Sequence, residues 1–329
     1  MKTPISILIL LVALLQVEKD VLAQAQNKCF SISYSAPLAS ARSYRFKSVE
    51  GQTVYASPQQ RWESGPSGGV CVVVFDPKSK SQITNAITDD KGQFGFDELP
   101  PGEYALVASA GELQPISIPV QISPDVPTSG RLLLHLREAQ DPRKSYVTVV
   151  AKDGLRKELI SMLEEDQKIR REIIENGVEH PSEQLQSRMD TIDRKNTMRM
   201  KSIVKQYGWP TSDMVGWDGS DAAFLLVQHA DHDSHKTFVP LLQKEFKAGN
   251  VSGPNYALFV DRVLTEEGKL QIYGSRTLPF DRWQDGEPAL YPIEDEANVD
   301  KRRAEVGLSP LSEYREMLKQ MYHPGKRNE

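Results

Sequence analysis

Thr88–Tyr104 reads Thr-Asp-Asp-Lys-Gly-Gln-Phe-Gly-Phe-Asp-Glu-Leu-Pro-Pro-Gly-Glu-Tyr, and its reading decides the first half of the chain. Asp89-Asp90-Lys91-Gly92 is turn chemistry, because short Asp side chains tolerate unusual dihedrals and Gly92 takes positive φ without penalty. Gln93–Phe96 has the short, aromatic character of a strand, and Pro100-Pro101-Gly102 is a corner leading to the next strand at Tyr104. Working outward, strands are predicted at Cys29–Tyr34, Val70–Phe75, Ile83–Thr88, Gln93–Phe96, Tyr104–Ser109, Ile116–Ile122 and Arg131–Leu136. They are short, rich in β-branched and aromatic residues, and separated by Gly, Pro and Asp clusters, the pattern of an antiparallel β-sandwich over residues 26–138. Residues 37–68 carry a mixed signal, with a possible strand near Ser43–Lys47 and a loop at Ser64–Gly69.

Past Pro142 the apolar period changes. Leu155, Leu159 and Leu163, then Ile169 and Ile173, recur every four residues, so Asp153–Glu175 reads as an amphipathic helix. Leu185, Met189, Ile192, Met200, Ile203 and Tyr207 mark a second, closed at Gly208-Trp209-Pro210. A third runs from about Ser220 into Gln228-His229, and a fourth from about Ser234 to Lys247 with Asp233 or Ser234 as its N-cap. Ser252-Gly253-Pro254 opens a fifth that stops at Gly268. Lys269–Arg276 is a short extended excursion, and Val299–Val306 and Pro310–Met321 are two final helices. The fold class is thus all-β plus all-α, with residues 139–152 as linker, a helical domain over 153–322 and a disordered tail over 323–329.

Charge follows the same division. Residues 26–140 hold 10 basic and 11 acidic side chains, against 28 and 32 in residues 141–329, as suits a β-rich unit followed by a helix-rich one. The net charge of -5 gives no electrostatic reason to expect nucleic acid. At the N-terminus, Lys2 precedes the apolar run Ile5–Leu15, and small-residue cleavage signatures follow at Val21-Leu22-Ala23 and Ala23-Gln24-Ala25. Residues 1–25 therefore read as a secretory signal peptide, with an uncleaved anchor as the other possibility and no membrane span once the signal is removed. The expected location is secreted or periplasmic. In that compartment Cys29 and Cys71 can pair as a disulfide, closing a loop of roughly 40 residues and stabilising by ~3–4 kcal/mol. The other reading is two buried thiols on apolar strands.

Two resemblances add to this. The string from Thr88 to Phe96 followed by Leu99-Pro100-Pro101-Gly102-Glu103-Tyr104 resembles the carboxypeptidase regulatory-like (transthyretin-like) sandwich, which implies a non-catalytic accessory module; His135 on its strand is then structural. The later half resembles a bacterial all-α domain of unknown function often found in secreted proteins. The match rests on Glu164-Glu165-Asp166-Gln167 with Arg170, Tyr207–Thr211, Ala222–Asp231, Asp261-Arg262, Gln271–Gly274 and Val299–Arg303 with Gly307-Leu308. Where that family tends to carry Thr-Gln after Tyr-Gly, this chain has Ser275-Arg276.

The helix holding Ala222–Val227 is apolar almost all round, so Gln228 and His229 at its end face partners rather than water. Asp261 is the candidate to orient His229, and Arg262 the counter-charge or oxyanion donor. Asp166 and Arg170, four apart on a helix, either close that cluster or pair with each other. Gln228, Gln271, Tyr273 and Asp166 are the candidate ligand contacts. The competing reading is a polar network that only locks helices together. No cofactor is expected; a metal at His229, His232 and Asp233 is the lesser reading, against helix capping and a solvated loop. Three functional classes stay open: a module binding a small molecule or an envelope component, a hydrolase-like enzyme with His229 as general base activating water, and a structural envelope protein.

Overall fold

The computed structural model describes residues 29, 32–35, 43–58, 60, 62–96, 98–126, 130–175, 182–279, 282–284 and 287–322. The expected signal peptide and the C-terminal tail 323–329 lie outside the described residues. A β-sandwich is followed by a helical region, as the change of apolar period requires. Two compact units result. One holds the described residues up to Ile160 together with Pro210–Asp221; the other holds Ser161–Trp209 and the chain from Ala222 onward.

The strands are β1 (Tyr44–Phe46), β2 (Val49–Tyr55), β3 (Gly65–Pro66), β4 (Cys71–Phe75), β5 (Gln82–Ile87), β6 (Gln93–Phe96), β7 (Gly102–Ser109), β8 (Ile116–Ile122), β9 (Gly130–Leu136) and β10 (Tyr146–Val149). One sheet runs β1-β8-β7-β4-β5 and the other β10-β9-β2-β3, with β6 also paired to β2. The sandwich is not wholly antiparallel, since β1 pairs with β8 and β2 with β9 in parallel. Val72, Val74, Leu106, Ile118, Leu132 and Leu134 fill the space between the sheets, each contributing about 1.5–3 kcal/mol by burial.

β2 arises where the sequence signal was mixed. Its Gln52 and Thr53 are buried despite being polar; the Asp89–Gly92 turn takes up the Gln52 amide N–H and the Thr53 backbone N–H, while Gln52 Oε1 has no partner. Gln52 Nε2 donates to Lys91 O at 2.9 Å, and Thr53 N donates to Gly92 O at 2.8 Å. A β-carbon at Gly92, whose φ is +70°, would meet Thr53 O at 2.3 Å, so the turn needs glycine for conformation and for space. β10 lies inside the expected linker and pairs with β9. Among the described residues of Cys29–Tyr34 there is no strand; instead Ile32 and Tyr34 pack on Val73, Phe75, Ala105 and Val107. Cys29 and Cys71 form a disulfide with a Cα–Cα distance of 5.4 Å.

β9 is buried at every residue because both its faces are covered. Leu132, Leu134 and Leu136 face the core, while Leu133 packs with Val54, Val150 and Trp217. Beside them His135 bonds Glu63 through Nδ1 (2.9 Å) and Thr148 through Nε2 (3.0 Å), with Asp213 3.5 Å from Nε2. Arg137 forks onto both oxygens of Glu63 at 3.2 Å.

The helices are α1 (Asp153–Glu175), α2 (Glu183–Tyr207), α3 (Ser212–Gln228, kinked at Gly216), α4 (His232–Lys247), α5 (Gly253–Glu266), α6 (Val299–Glu305) and α7 (Leu311–Tyr322). Asp231, rather than Asp233 or Ser234, caps α4, accepting from Ser234 N at 2.9 Å. Ser252 caps α5, with Pro254 in its first turn. Residues 271–276 form no strand; isolated bridges tie Gln271 to Ile293 and Thr277 to Leu290. No helix of the described residues is long and apolar enough to cross a membrane.

Candidate functional site

His229 continues the last turn of α3, its N–H donating to Leu225 O at 3.1 Å. Its side chain is 7% exposed. Nδ1–H donates to Asp166, 3.0 Å from Oδ2 and 3.1 Å from Oδ1. Asp166, fully buried on α1, also accepts from Gln167 Nε2 at 2.8 Å and Arg170 Nη2 at 3.0 Å. Arg170 in turn pairs with Asp193 on α2. Burial opposes ionisation of Asp166, but His229 and Arg170 hold its carboxyl well below the usual carboxylate range. Burial and the Arg170 charge bring His229 down to about 4, so it is neutral at pH 7. With its proton on Nδ1, Nε2 carries the free lone pair. Asp193 is driven the other way, to about 7, by burial and by its neighbour Asp166 against the pull of Arg170.

Asp261 does not orient His229; that place belongs to Asp166. Asp261 is fully buried on α5, and its lone pairs are taken by the following loop. Oδ1 accepts from Ile272 N (2.7 Å) and Tyr273 N (3.1 Å), and Oδ2 from Ser275 N (2.9 Å) and Ser275 Oγ (2.8 Å). Gln271 is spent in the same way. Its Oε1 accepts from Arg276 N at 2.9 Å, and its Nε2 donates to Arg276 O (3.2 Å) and Tyr291 O (2.7 Å). Tyr273 is held through its backbone, its carbonyl accepting from Arg303 Nη1 at 2.7 Å, and burial pushes its phenol up to about 12. These three candidates build the loop that presents Arg276.

Arg276 is 6% exposed, and its Nε has no hydrogen-bond partner. Among the described residues no carboxylate lies within ion-pairing distance of its guanidinium. Burial lowers its pKa, with Glu266 acting in the opposite sense. Arg262 is 5% exposed with an unpartnered Nε, and its Nη1 is 3.6 Å from Glu266 Oε1. Burial and the Arg276 charge bring it down to about 9, while the charges of Arg170 and Asp193 also act on it. Arg262 acts on His229 as well, which joins the two parts of the cluster. Gln228 Oε1 and both polar atoms of the Asn196 amide are buried without partners in the same unit.

The residues of the lesser, metal-binding reading separate. His229 turns to Asp166, whereas His232 and His235 both donate through Nδ1 to Glu266 Oε2, at 3.0 and 2.9 Å. Asp233 lies in the first turn of α4. Among the described residues no set of three His, Cys, Asp or Glu side chains has a metal-holding arrangement. A surface groove of about 420 Å³ lined by Glu165, Lys168, Ile169, Arg188 and Ile192, among others, contains none of the cluster residues.

Sequence reasoning passed over Asp193 and Asn196. Their signal was present: Met189, Asp193, Asn196, Met200 and Ile203 follow one helical stripe of α2, with polar residues at two positions of an otherwise apolar face. Glu266 left no such trace.

Comparison with known proteins finds a family match in each half of the chain. Residues 46–123 match the BOS complex subunit NOMO1-like, second beta sandwich domain. No curated protein matches the chain. Residues 153–325, more than half of the sequence and all of the cluster just described, match a family of unknown function (DUF6624), and the chain belongs to that family.

Proposed function

We propose that the helical unit is the ligand-binding module of an exported protein, and that its ligand carries an anionic group, a carboxylate or a phosphate, which Arg276 and Arg262 receive. The observation that carries this is Arg276: a buried guanidinium without an ion-pair partner among the described residues. An uncompensated buried charge costs several kcal/mol, and a bound anion offsets that cost. The charge balance agrees. Arg170, Arg262 and Arg276 face the ionised carboxylates Asp166 and Glu266, while burial pushes the pKa values of Asp193 and Asp261 up. Neutral His229 supplies a hydrogen-bond acceptor for a protonated part of the ligand. Export draws support from the signal-like N-terminus and from the Cys29–Cys71 disulfide.

Thermal unfolding in the presence of phosphate, acetate or glycerol tests the reading. Phosphate or acetate raises the melting temperature of the wild type by mass action, glycerol at equal concentration does not, and Arg276→Met removes the response. Equal shifts in wild type and Arg276→Met for every probe overturn it. Which of the two anions acts separates phosphate from carboxylate recognition. N-terminal mass analysis of the protein recovered from an expressing bacterium tests export, with an intact residue 1 counting against it.

A second reading rests on the Asp166–His229 pair: a hydrolase in which His229, oriented by Asp166, takes a proton from water. Turnover of an ester or phosphoester substrate that His229→Ala abolishes, with melting unchanged, supports it.

A further inference from the structure

We infer that the anion received by Arg262 and Arg276 enters together with a proton, which the nearby carboxyl pair Asp166–Asp193 takes from solvent. This coupling presupposes the anion site proposed above and adds its regulation by pH. Arg170 Nη2 on α1 donates to two carboxylate oxygens at once, Asp166 Oδ1 at 3.0 Å and Asp193 Oδ1 at 2.5 Å. Two acidic side chains, one on α1 and one on α2, thus crowd a single guanidinium nitrogen. Carboxylates sharing a site repel, and one of them gives way by holding a proton. Asp166 is the member that stays ionised, since it also accepts from His229 Nδ1 and Gln167 Nε2. For Asp193, Arg170 is the one hydrogen-bond donor among the described residues. Its side chain keeps 20% of its surface in solvent, against none for Asp166, so a proton reaches the pair through Asp193.

The charges around Asp193 come from three helices. α1 supplies Arg170 and Asp166, and α5 supplies Arg262, on which the Asp193 charge acts. On α2 itself Asp190, Arg194 and Lys195 are occupied by Gln186, Thr191 and Glu165. Arg170 and Arg262 favour the ionised form of Asp193. An anion seated on Arg262 cancels part of that pull, so Asp193 holds its proton more firmly. Reciprocally, a protonated Asp193 leaves Arg262 more positive field to offer, and the anion binds more firmly. The window opens at about 7, where burial and Asp166 place the free Asp193 carboxyl against the pull of Arg170. It extends upward to the higher value in the complex, and affinity falls as pH rises through it. His229, which falls to about 4, stays neutral across that window.

Calorimetric titration of the full chain with acetate and with sulfate, both ionised throughout, at pH 6.5 and 8.5 tests the coupling. Binding several-fold weaker at the higher pH is expected, by about tenfold for each pH unit the anion adds to the Asp193 midpoint. Titrations near pH 7.5 in two buffers of different ionisation heat should show protons taken up with the anion. Asp193→Asn has the charge and shape of the protonated carboxyl. It should bind at pH 8.5 as tightly as the wild type at pH 6.5, with no proton taken up. Should that variant fail to fold, the wild-type Asp193 carboxyl carbon, followed by NMR, should show its midpoint moving upward on adding acetate. Anion binding without proton uptake, equally tight at both pH values, overturns the coupling and leaves the anion site standing. So does a pH dependence that Asp193→Asn retains, or a midpoint that acetate does not move. No binding of either anion, by wild type or variant, removes the anion site and the coupling with it.

Discussion

His135 and His229, one in each unit, meet opposite surroundings. His135 on β9 has both ring nitrogens bonded and carboxylates on two sides, Glu63 and Asp213. Burial opposes its charge, yet Asp213 and Glu63 raise its pKa above the ordinary histidine value. His229 has one carboxylate, Asp166, with Arg170 and Arg262 near enough to repel a proton, and it falls to about 4. The arginines differ likewise. Arg137 forks onto Glu63, whereas Arg276 has burial without an ion pair. Both units keep buried polar atoms without hydrogen-bond partners, Gln52 Oε1, Arg131 Nε and Nη2 and Arg137 Nε among them in the sandwich unit. The difference lies in ion pairs: each buried arginine of the sandwich unit, Arg131, Arg137 and Arg156, has a carboxylate within pairing distance, while Arg276 of the helical unit has none among the described residues.

The largest effect expected from breaking this contrast is at Asp166. Asp166→Ala leaves Arg170 and Asp193 in a buried site without their central partner and costs about 3–5 kcal/mol in chemical denaturation. A loss below about 1 kcal/mol would mean that the Asp166–His229–Arg170 cluster carries little of the unit's stability. In the sandwich, Arg137→Met strands Glu63 beside His135 and costs about 3 kcal/mol, at the low end of the same range.

Proton linkage sharpens the comparison. The folded pKa of His135 is raised, so its contribution is fully present below the unfolded value of 6.5 and is lost as pH rises through the folded value. The folded pKa of His229 is lowered, so its contribution is present above 6.5 and is lost as pH falls toward about 4. Ring carbon and nitrogen shifts followed by NMR should therefore find, at pH 6, His135 as imidazolium and His229 neutral with its proton on Nδ1. Two histidines titrating together near 6.5 would erase the distinction. The smallest expected change is at the cap of α4, where Asp231→Ala costs about 1 kcal/mol and, by thermal melting with and without phosphate, leaves anion binding intact.

Much of this was legible in the sequence. The turn at Asp89–Gly92, the Pro-Pro-Gly corner and the change of apolar period after Pro142 locate the strands from Val70 onward and the helices. β2 was hidden because Gln52 and Thr53 look like loop residues until the turn that accepts their N–H groups is in place. β10 was hidden because four residues beside charged Arg143 and Lys144 resemble a linker until β9 pairs with them. At the candidate site, His229, Gln228, Asp166 and Arg262 announce themselves as polar residues on apolar helices. Which carboxylate meets His229 depends on how α1, α3 and α5 are rotated about their axes, and single-chain periodicity does not specify that. The string Gln271–Gly274 stood out for its polar residues, yet Gln271 and Asp261 spend their hydrogen bonds on the loop that delivers Arg276.

The most direct test compares unfolding free energies of Arg276→Met and Arg137→Met without added anion. Replacing a buried charge that lacks a partner by an apolar side chain of similar length should be neutral or stabilising, by up to ~1–4 kcal/mol, while the paired arginine of the sandwich loses stability. Equal destabilisation by the two substitutions would contradict the account, because it would mean that Arg276 is already neutralised within the fold and has no charge to offer a ligand.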